Sequence, residues 1–319
     1  MAQIGHPKNQ HYVPLFLLKN FHSDKSDSIF CYDKQDLRPF ETNPKNVACE
    51  KWFYDLHPGH IEGSLEHKLS SLESACSLII NGKILTAGTL RNVSTEDRAA
   101  LSLFIAVQMV RTRQFRESVW YADQELAKLL RESGIDPIKV RNYRPFESED
   151  DVKDFSLFFA RQATTFVPNL LEKTWLLYES ENSFVIGDNP VALHNTINES
   201  KLRSTRGIAV KGIEIYLPIS PRFTLCLLCR DTFRLFETQL HLKRAELERN
   251  GSYNLHNFVV RVKRRIPVPC EAENVEHLNS LQVTHAERYL FSHNEDFSLV
   301  ESMIHDDPNL RHGPRMTIG

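Results

Sequence analysis

The chain has 319 residues, of which 41% are hydrophobic and 25% are charged, and its formal net charge at pH 7 is −2. This length supports one large domain or two modest ones with a substantial core, and the composition is ordinary for a globular protein. The near-neutral balance excludes a whole-protein field that would attract nucleic acid or anionic lipid, but it allows local basic patches.

The sequence shows no export or membrane signal. The first residues lack the cationic, apolar and cleavage-site order of a signal peptide, and no apolar run reaches the roughly 18 residues of a membrane span. The six cysteines are scattered and lie mostly in apolar runs, so we expect free, buried thiols in a reducing cytoplasm. They are Cys31, Cys49, Cys76, Cys226, Cys229 and Cys270.

Cys226 and Cys229 have the C-x-x-C spacing of a metal or redox motif. They lie in "RFTLCLLCR", which is typical of a buried strand, where residues three apart point to opposite faces. No second C-x-x-C and no matching His pair accompanies them, so we favour two buried thiols over a zinc site.

The first structured element is predicted within "KNQHYVPLFLLKNF", residues 8–21, after a polar and flexible segment over 1–9. Pro14 suits the first turn of a short helix over Leu15–Asn20, because the N–H that proline lacks has no helical partner there. The run "SIFCYDK" then predicts a strand, followed by a turn and a second extended stretch towards "KWFYD".

Residues 61–172 form the predicted helical part. Apolar residues recur at three- and four-residue spacing from Ile61 to Ile80, and Gly82 predicts the end of that helix. The capping sequence "STED" opens the next helix, which runs towards Gly134 without an internal Gly or Pro. We expect it to be the central helix of the fold.

Residues 174–230 form the predicted sheet part. "TWLLYES" and "SFVIGD" predict a hairpin, and "GIEIYLPISP" and "RFTLCLLCR" predict two further strands. Helices return over 231–300, in "FRLFETQLHLKRAELERN" and in "VEHLNSLQVTHAERYLFS". The basic run "RVKRR", residues 261–265, predicts a solvated strand end, and residues 301–319 predict a flexible tail.

Runs of helix and runs of strand are therefore segregated along the chain. This order disfavours βαβ winding and favours an α+β protein. We expect a single α+β domain over 10–300, in which long central helices pack against a small, mostly antiparallel sheet.

His11 directly precedes the helix expected at Pro14, and the N-terminal end of a helix carries partial positive charge. That field, together with burial by neighbouring aromatic side chains, favours the neutral imidazole. A neutral imidazole can act as a base, a metal ligand or a hydrogen-bond acceptor. The alternative is a histidine that bonds to the backbone and holds the N-terminal segment in place.

Gln108 interrupts an apolar run of the long helix, and Gln108, Arg111 and Thr112 share one helical face at i, i+3 and i+4. A buried polar group without a partner costs about 1–3 kcal/mol, so this face needs one. Substrate, an anion or another segment such as Gln10–His11 can supply it. A structural polar clasp between layers explains the pattern equally well.

Asp188 and Asn189 follow the end of an apolar strand in "VIGDNPV", beside the rigid Pro190. A carboxylate there is a common way to display a catalytic or metal-binding acid, and it is equally the start of an Asx-turn. Asp188 and Glu214, each near a sheet edge, form a candidate oxygen site for a divalent cation. The arrangement resembles that of metal-dependent nucleases, but Tyr216 stands where their Glu-x-Lys motif has lysine.

Glu62 and Glu66 share a helix face, as a metal-bridging pair does, but no Glu-x-x-His motif accompanies them. We interpret them as a charged face with one acid contacting His11. The sequence also lacks G-x-S-x-G, P-loop, G-x-G-x-x-G and H-E-x-x-H motifs, so it gives no support to the usual serine-hydrolase, kinase, dinucleotide or zinc-protease functions.

Five segments occur in an order that resembles domain-of-unknown-function family 4238: "QHYVPLFLLKNF", "NVACEKWFYD", "QMVRT", "GDNPV" and "YLPISP". The resemblance extends from about Gln10 to Phe291, and it implies a bacterial protein but no particular activity. Leu15 departs from the family, which often has arginine at that position. The resemblance groups as signature residues Gln10, His11, Gln108, Arg111, Thr112, Asp188, Asn189 and Pro190.

Two hypotheses for function remain open. In the first, the chain is a nuclease-like hydrolase of a phosphate-bearing small molecule or nucleic acid, and a role in defence fits that activity. His11 is then the base or a ligand, Asp188 a ligand of a divalent cation, and Arg111 the charge stabiliser. The residues expected to bind substrate are Gln10, Gln108, Thr112 and Asn189.

In the second hypothesis the chain is a non-catalytic binding or interaction module. The same side chains then form a buried polar network that fixes the N-terminal segment across the helical and sheet layers.

Overall fold

The structure is a computed structural model that describes residues 8–23, 25–55, 65–197, 207–242 and 253–316. It confirms the α+β class that the segregation of helix and strand runs predicts. The parts of the sequence-predicted helices that lie at 61–64 and 243–250 fall outside the described residues, as does Glu62.

The α-helices in the described part of the chain are α1 (Leu15–Lys19), α2 (Leu65–Ser77), α3 (Thr95–Val110), α4 (Arg113–Glu132), α5 (Glu149–Arg161), α6 (Val167–Leu171), α7 (Arg230–Leu242), α8 (Tyr253–Lys263), α9 (Ala272–His285) and α10 (Ser298–Asp306). None of these described helices is both long and apolar enough to cross a bilayer.

The strands are β1 (Asn9–His11), β2 (Ile29–Asp33), β3 (Arg38–Thr42), β4 (Cys49–Lys51), β5 (Thr174–Glu179), β6 (Ile186–Gly187), β7 (Ala192–Asn195), β8 (Ile213–Pro218), β9 (Phe223–Leu228), β10 (Val268–Pro269) and β11 (Tyr289–Ser292). They form a two-stranded sheet β1-β4, a five-stranded sheet in the order β10-β5-β9-β8-β7, and a four-stranded sheet in the order β3-β2-β11-β6.

α3 is the central helix of the fold. A capping box at its start joins the Ser94 hydroxyl to the Asp97 amide and the Asp97 carboxylate to the Ser94 amide, as "STED" predicts. Its buried residues occupy most of the circumference, which is the pattern of a helix enclosed by other elements. The single helix expected to run on to Gly134 is in fact two, because the chain breaks at Arg111 and Thr112 before α4 begins.

The predicted stop at Gly82 is wrong. The helix continues through a π-helical segment, Leu78–Leu85, and ends near Gly88, whose φ of +57° is typical of a glycine just past a helix C-terminus. Asn81 in this segment accepts a hydrogen bond of 2.9 Å from Asn20, and the same Asn20 amide donates to the Ile219 carbonyl. Asn20 therefore joins the π-helix to the residue that follows β8 of the five-stranded sheet.

The predicted hairpin of "TWLLYES" with "SFVIGD" is also wrong. β5 pairs with β9 and β10, whereas β6 pairs with β11 in the other sheet. The two further strands predicted after them are present as β8 and β9, which are antiparallel neighbours. The main core fills the space between the helical layer and this sheet, with Leu17, Ile80 and Phe104 in the same buried cluster as Ile215 and Leu225.

Two C-terminal predictions are corrected as well. "YLFS" is not the end of a helix but strand β11, which lies inside the four-stranded sheet between β2 and β6. The run "RVKRR" is not a strand end, because its first residues complete helix α8 and Arg265 follows with a left-handed φ of 56°. In both cases a short apolar or basic run fits either element when it is read locally.

The described part of the C-terminal tail, residues 301–316, packs against the rest of the chain. α10 extends to Asp306, and Arg315 binds the buried Glu287 through two hydrogen bonds of 2.7 Å, one to each carboxylate oxygen. The Gly313 amide donates to the same carboxylate at 3.2 Å. Two further contacts hold the tail against α4, where the Pro314 carbonyl accepts from Gln114 and the Met316 amide donates to Ser118.

Replacing Arg315 by methionine tests this contact. We expect Arg315→Met to lower the free energy of unfolding by about 1–3 kcal/mol, because it leaves the Glu287 carboxylate buried without its cation. Urea denaturation measures this change. The exposed Arg311 has the same charge in the same segment, so Arg311→Met is the matched control and is expected to stay within about 0.5 kcal/mol of wild type. Equal stability of the two variants would contradict a packed tail.

Candidate functional site

The N-terminal motif is held at the edge of the helical layer by a short strand pair. β1 pairs antiparallel with β4, with Gln10 opposite Glu50 and His11 opposite Cys49. The Gln10 side chain is fully buried, accepts a hydrogen bond of 2.6 Å from the Tyr54 amide and donates to the Asp55 carboxylate. The sequence predicted Gln10 as a substrate-binding residue. Its side-chain amide instead binds Tyr54 and Asp55, which follow β4.

β4 is flanked by unusual backbone geometry. Ala48 and Trp52, on either side of it, both have left-handed φ angles, of 50° and 57°. Non-glycine residues adopt this region at a cost and keep it where surrounding contacts fix it. Here those contacts are the Tyr12 amide bond to the Ala48 carbonyl and the Trp52 amide bond to the Lys8 carbonyl, both inside the N-terminal motif.

Gln108 and Arg111 share one face, as their spacing predicts, and the structure identifies their partners. The Gln108 amide nitrogen donates to the Tyr12 carbonyl at 2.7 Å, and its oxygen accepts from Arg111 Nε at 2.8 Å. Arg111 Nη1 then binds Glu73 of α2 at 2.7 Å, and the guanidinium lies 6.0 Å from the centre of the Tyr54 ring. The partners of this face are thus Glu73 and the segment "QHYVP", residues 10–14, which is called the QHYVP segment below.

Two nitrogens of this cluster remain without a hydrogen-bond partner in the described structure: His11 Nε2 and Arg111 Nη2, both shielded from solvent. Burial lowers the pKa of His11, and the Arg111 charge acts in the same direction, while backbone hydrogen bonding at Pro44 and the Glu73 carboxylate oppose it. Burial, which the sequence suggested together with the field of α1, is the largest cause of the lowered pKa. Buried polar groups are normally hydrogen-bonded, so these two nitrogens are the atoms of the cluster that can still bind a water molecule or a small ligand.

Thr112 has a local structural task. Its hydroxyl accepts a hydrogen bond of 3.3 Å from the Phe115 amide and caps α4, at the break after α3. The residue is fully buried. The predicted helical face shared with Gln108 does not extend to Thr112, because α3 ends at Val110 and Thr112 has extended backbone angles as the N-cap of α4.

Asp188 is enclosed by backbone amides. One carboxylate oxygen accepts from the Glu287 amide at 2.7 Å, and the other accepts from the Arg288 and Tyr289 amides at 2.9 and 3.1 Å. Burial raises the pKa of Asp188 to about 6, although these three donors and the nearby Lys34 ammonium each act to lower it. The carboxylate therefore fixes the start of β11 against the end of β6, and its oxygens are already in use.

The neighbours of Asp188 have similar tasks. Asn189 donates to the His285 carbonyl at 3.2 Å and to Gln114 at 3.3 Å, which ties the turn to α9 and α4. Lys34 is fully buried and donates to the Val283 and Ala286 carbonyls at the end of α9. Burial lowers the pKa of Lys34 to about 8.

The proposed cation pair of Asp188 and Glu214 has no shared partner. Glu214 lies on β8 and accepts from Thr196 at 3.3 Å and from the Tyr216 hydroxyl, whereas Asp188 follows β6 in the other sheet. In the residues that the structure describes, no group of three or more His, Cys, Asp or Glu side chains could hold a metal ion. The tyrosine that replaces the nuclease lysine is thus the direct partner of Glu214.

The sequence reasoning missed Glu73, Tyr54 and Lys34. Glu66, which was expected to supply an acid near His11, acts on the pKa of Arg111, but Glu73 makes the direct ion pair. Glu66 and Glu73 are seven residues apart, so the helical period that pointed to the first also places the second on that face. Nothing in the sequence indicated that Lys34 is buried, because a lysine that follows a strand is usually solvated.

The geometry therefore divides the predicted site into two clusters. The first joins the QHYVP segment to Gln108, Arg111 and Glu73, and the second joins Asp188 to Lys34 and the backbone before β11. Tyr12 lies within the electrostatic range of the second cluster, because Asp188 contributes, after burial, to raising the pKa of its hydroxyl.

Comparison with known protein families identifies the family of this chain. The model of the family described as "Protein of unknown function (DUF4238)" matches residues 9–296, which include both clusters. No curated protein and no solved structure matches significantly. Since the match covers most of the chain, this protein belongs to the DUF4238 family.

Proposed function

We propose that this protein is a non-catalytic binding or interaction module in which the QHYVP, Gln108–Arg111 and Asp188 residues form a structural polar network. The observation that carries the proposal is the use of Asp188, whose two oxygens accept three consecutive backbone amides. A carboxylate engaged in this way stabilises a fold, because each donor it satisfies is buried or partly buried and would otherwise lack a partner.

The other cluster supports the same proposal. Gln10 and Gln108 are fully buried, and both use their amides on the backbone or side chains of the N-terminal segment and its neighbour β4. Together with Arg111 they connect β1, α2 and α3. Such a network fixes where a chain terminus lies, which hydrophobic packing alone does not specify.

A second candidate function rests on the two unpartnered nitrogens. His11 Nε2 and Arg111 Nη2 are the combination that a His-assisted hydrolase of a phosphate-bearing substrate needs, a neutral base beside a fixed cation. In this alternative Asp188 stays a structural residue, and the Arg111 guanidinium stabilises the developing negative charge.

The cytoplasmic location expected from the cysteines remains part of the proposal. All six thiols are free, and five of them are buried, which suits a reducing compartment.

Truncating Asp188 tests its structural role in the polar network. We expect Asp188→Ala to lower the free energy of unfolding by about 2–4 kcal/mol, because three backbone amides lose their acceptor. Urea denaturation followed by far-UV circular dichroism measures it. The exposed Asp154 on α5 is the matched control, and Asp154→Ala is expected to stay within about 0.5 kcal/mol of wild type. An Asp188→Ala variant of wild-type stability would rule out the network.

His11 gives a pH-dependent test of its burial. Its pKa is lowered from the ordinary 6.5, so the folded state holds fewer protons than the unfolded state just below that pH. The stability that comes from the neutral ring is present above pH 6.5 and is lost as the pH falls towards the lower folded pKa. We expect the advantage of wild type over His11→Gln in free energy of unfolding to shrink between about pH 7.5 and about pH 5.

The control for this measurement is a substitution of the exposed His22. The free energy of unfolding of His22→Gln should match that of wild type throughout the series. The same His11→Gln protein also decides between the two candidate functions. Unchanged stability at all pH values, combined with loss of a phosphate-ester hydrolysis that wild type performs, would favour the hydrolase over the module.

A further inference from the structure

A cavity of about 480 Å³ lies between the first turn of α3, the junction of α6 with β5, the start of α7 and the end of α8. Its charged lining is mostly basic, although the chain as a whole is slightly acidic. Glu172 is the acid among the lining residues. The cations are Arg98, Lys173, Arg230, Lys263 and Arg265.

Arg98 is fixed in the wall of this cavity. Its Nη2 donates to the Leu171 carbonyl at 2.9 Å and to the Lys173 carbonyl at 3.3 Å, and its guanidinium lies 5.1 Å from the centre of the Trp175 ring. Its Nε is shielded from solvent and has no partner in the described structure. The side chain is therefore positioned by the protein, and its bonds within the described structure use only Nη2.

Lys173 is the most deeply enclosed of these cations. It is 8% exposed, and no ion pair or hydrogen bond of its ammonium occurs with the described residues. Burial lowers the pKa of Lys173, and burial together with the Arg265 charge lowers the pKa of Arg98. The like charges of Arg98 and Arg265 favour an anion between them, whereas the charged groups that act on Lys173 are negative, with Cys229, Glu172 and Asp231 raising its pKa against burial.

The basic run that the sequence singled out forms the far rim. The Arg265 carbonyl accepts from the Leu90 amide at 3.1 Å and from the Thr89 hydroxyl, which fixes its left-handed backbone beside the cavity. Lys263 is paired with Glu237 at 2.6 Å, whereas Arg230 is exposed and makes no ion pair in the described part of the chain. Arg230 is therefore available to a ligand.

We propose that this cavity binds a small phosphate-bearing ligand, of nucleotide size and with at least two phosphate groups, held by Arg98, Lys173, Arg230 and Arg265. The volume is in the range of small-molecule sites, and arginine suits phosphate because its planar fork can donate two hydrogen bonds to one group. The cations converge on one concavity and do not form a track, which fits a small ligand better than a polymer. The inference goes beyond the module proposed above, which leaves the ligand open.

Calorimetric titration with sodium pyrophosphate and with ADP, in separate experiments, tests the proposal. We expect saturable binding of one pyrophosphate per chain, and competition by ADP if the natural ligand is a nucleotide. Arg230→Gln should weaken pyrophosphate binding about tenfold or more, which corresponds to the loss of one charge-assisted hydrogen bond. Arg234→Gln is the matched control, since Arg234 lies one turn further along α7, is exposed, and does not line the cavity.

Lys173→Met separates a binding role from a structural one. Methionine has a similar length without the charge, so the ligand-free variant should melt at about the same temperature as wild type, because the substitution removes both the desolvation cost of the ammonium and its attraction to Glu172 and Asp231. The same variant should lose pyrophosphate binding at least tenfold. A structural role for Lys173 predicts the reverse, a lower melting temperature with unchanged binding.

Three results would overturn the proposal: no saturable binding of either probe to wild type, equal binding by wild type, Arg230→Gln and Lys173→Met, or binding of single-stranded oligonucleotides that pyrophosphate does not displace. The last result would indicate a nucleic-acid surface. His11→Gln should bind pyrophosphate as wild type does, so failure of the polar network and failure of this site are observed separately.

Discussion

A buried arginine is the constraint on which the N-terminal half of this fold depends. Arg111 is 2% exposed, and a guanidinium removed from water is tolerated only with an acid and further hydrogen bonds around it. Glu73 supplies the charge, Gln108 an acceptor, and Tyr54 an aromatic face. These partners come from α2, α3 and the loop after β4, so satisfying one side chain fixes three parts of the chain relative to one another.

The same constraint explains why the N-terminal strand is ordered. The side-chain amide of Gln108 accepts a hydrogen bond from Arg111 and donates one to the Tyr12 carbonyl. Arg111 is therefore linked through a single side chain to the residue that follows β1. Gln108 and Arg111 lie at the C-terminal end of α3, where Arg111 is the C-cap. Thr112 is then the N-cap of α4. The break in the long helix and the anchoring of the QHYVP segment are therefore one structural feature.

Interactions that are local in sequence were predictable, and those that depend on distant partners were not. The i, i+3 relation of Gln108 and Arg111 follows from helical geometry, and the capping box of α3 follows from "STED". The role of Asp188 was open between an Asx-turn and a catalytic acid, because its donors lie about a hundred residues further along the chain. The strands β5 and β6 are neighbours in sequence, yet each finds its partner elsewhere, which no turn signal between them reveals.

The four-stranded sheet has a consequence for how the protein is synthesised. It joins β2 and β3 from the first fifty residues to β11, near the end of the family match, and Arg288 binds Asp33 across a separation of 255 residues. Contacts of such long range close slowly, because a large loop must be ordered before any of them forms. On the ribosome, the edge of β2 that pairs with β11 therefore stays open until β11 has emerged, and during that interval the hairpin is exposed to chaperones and to aggregation.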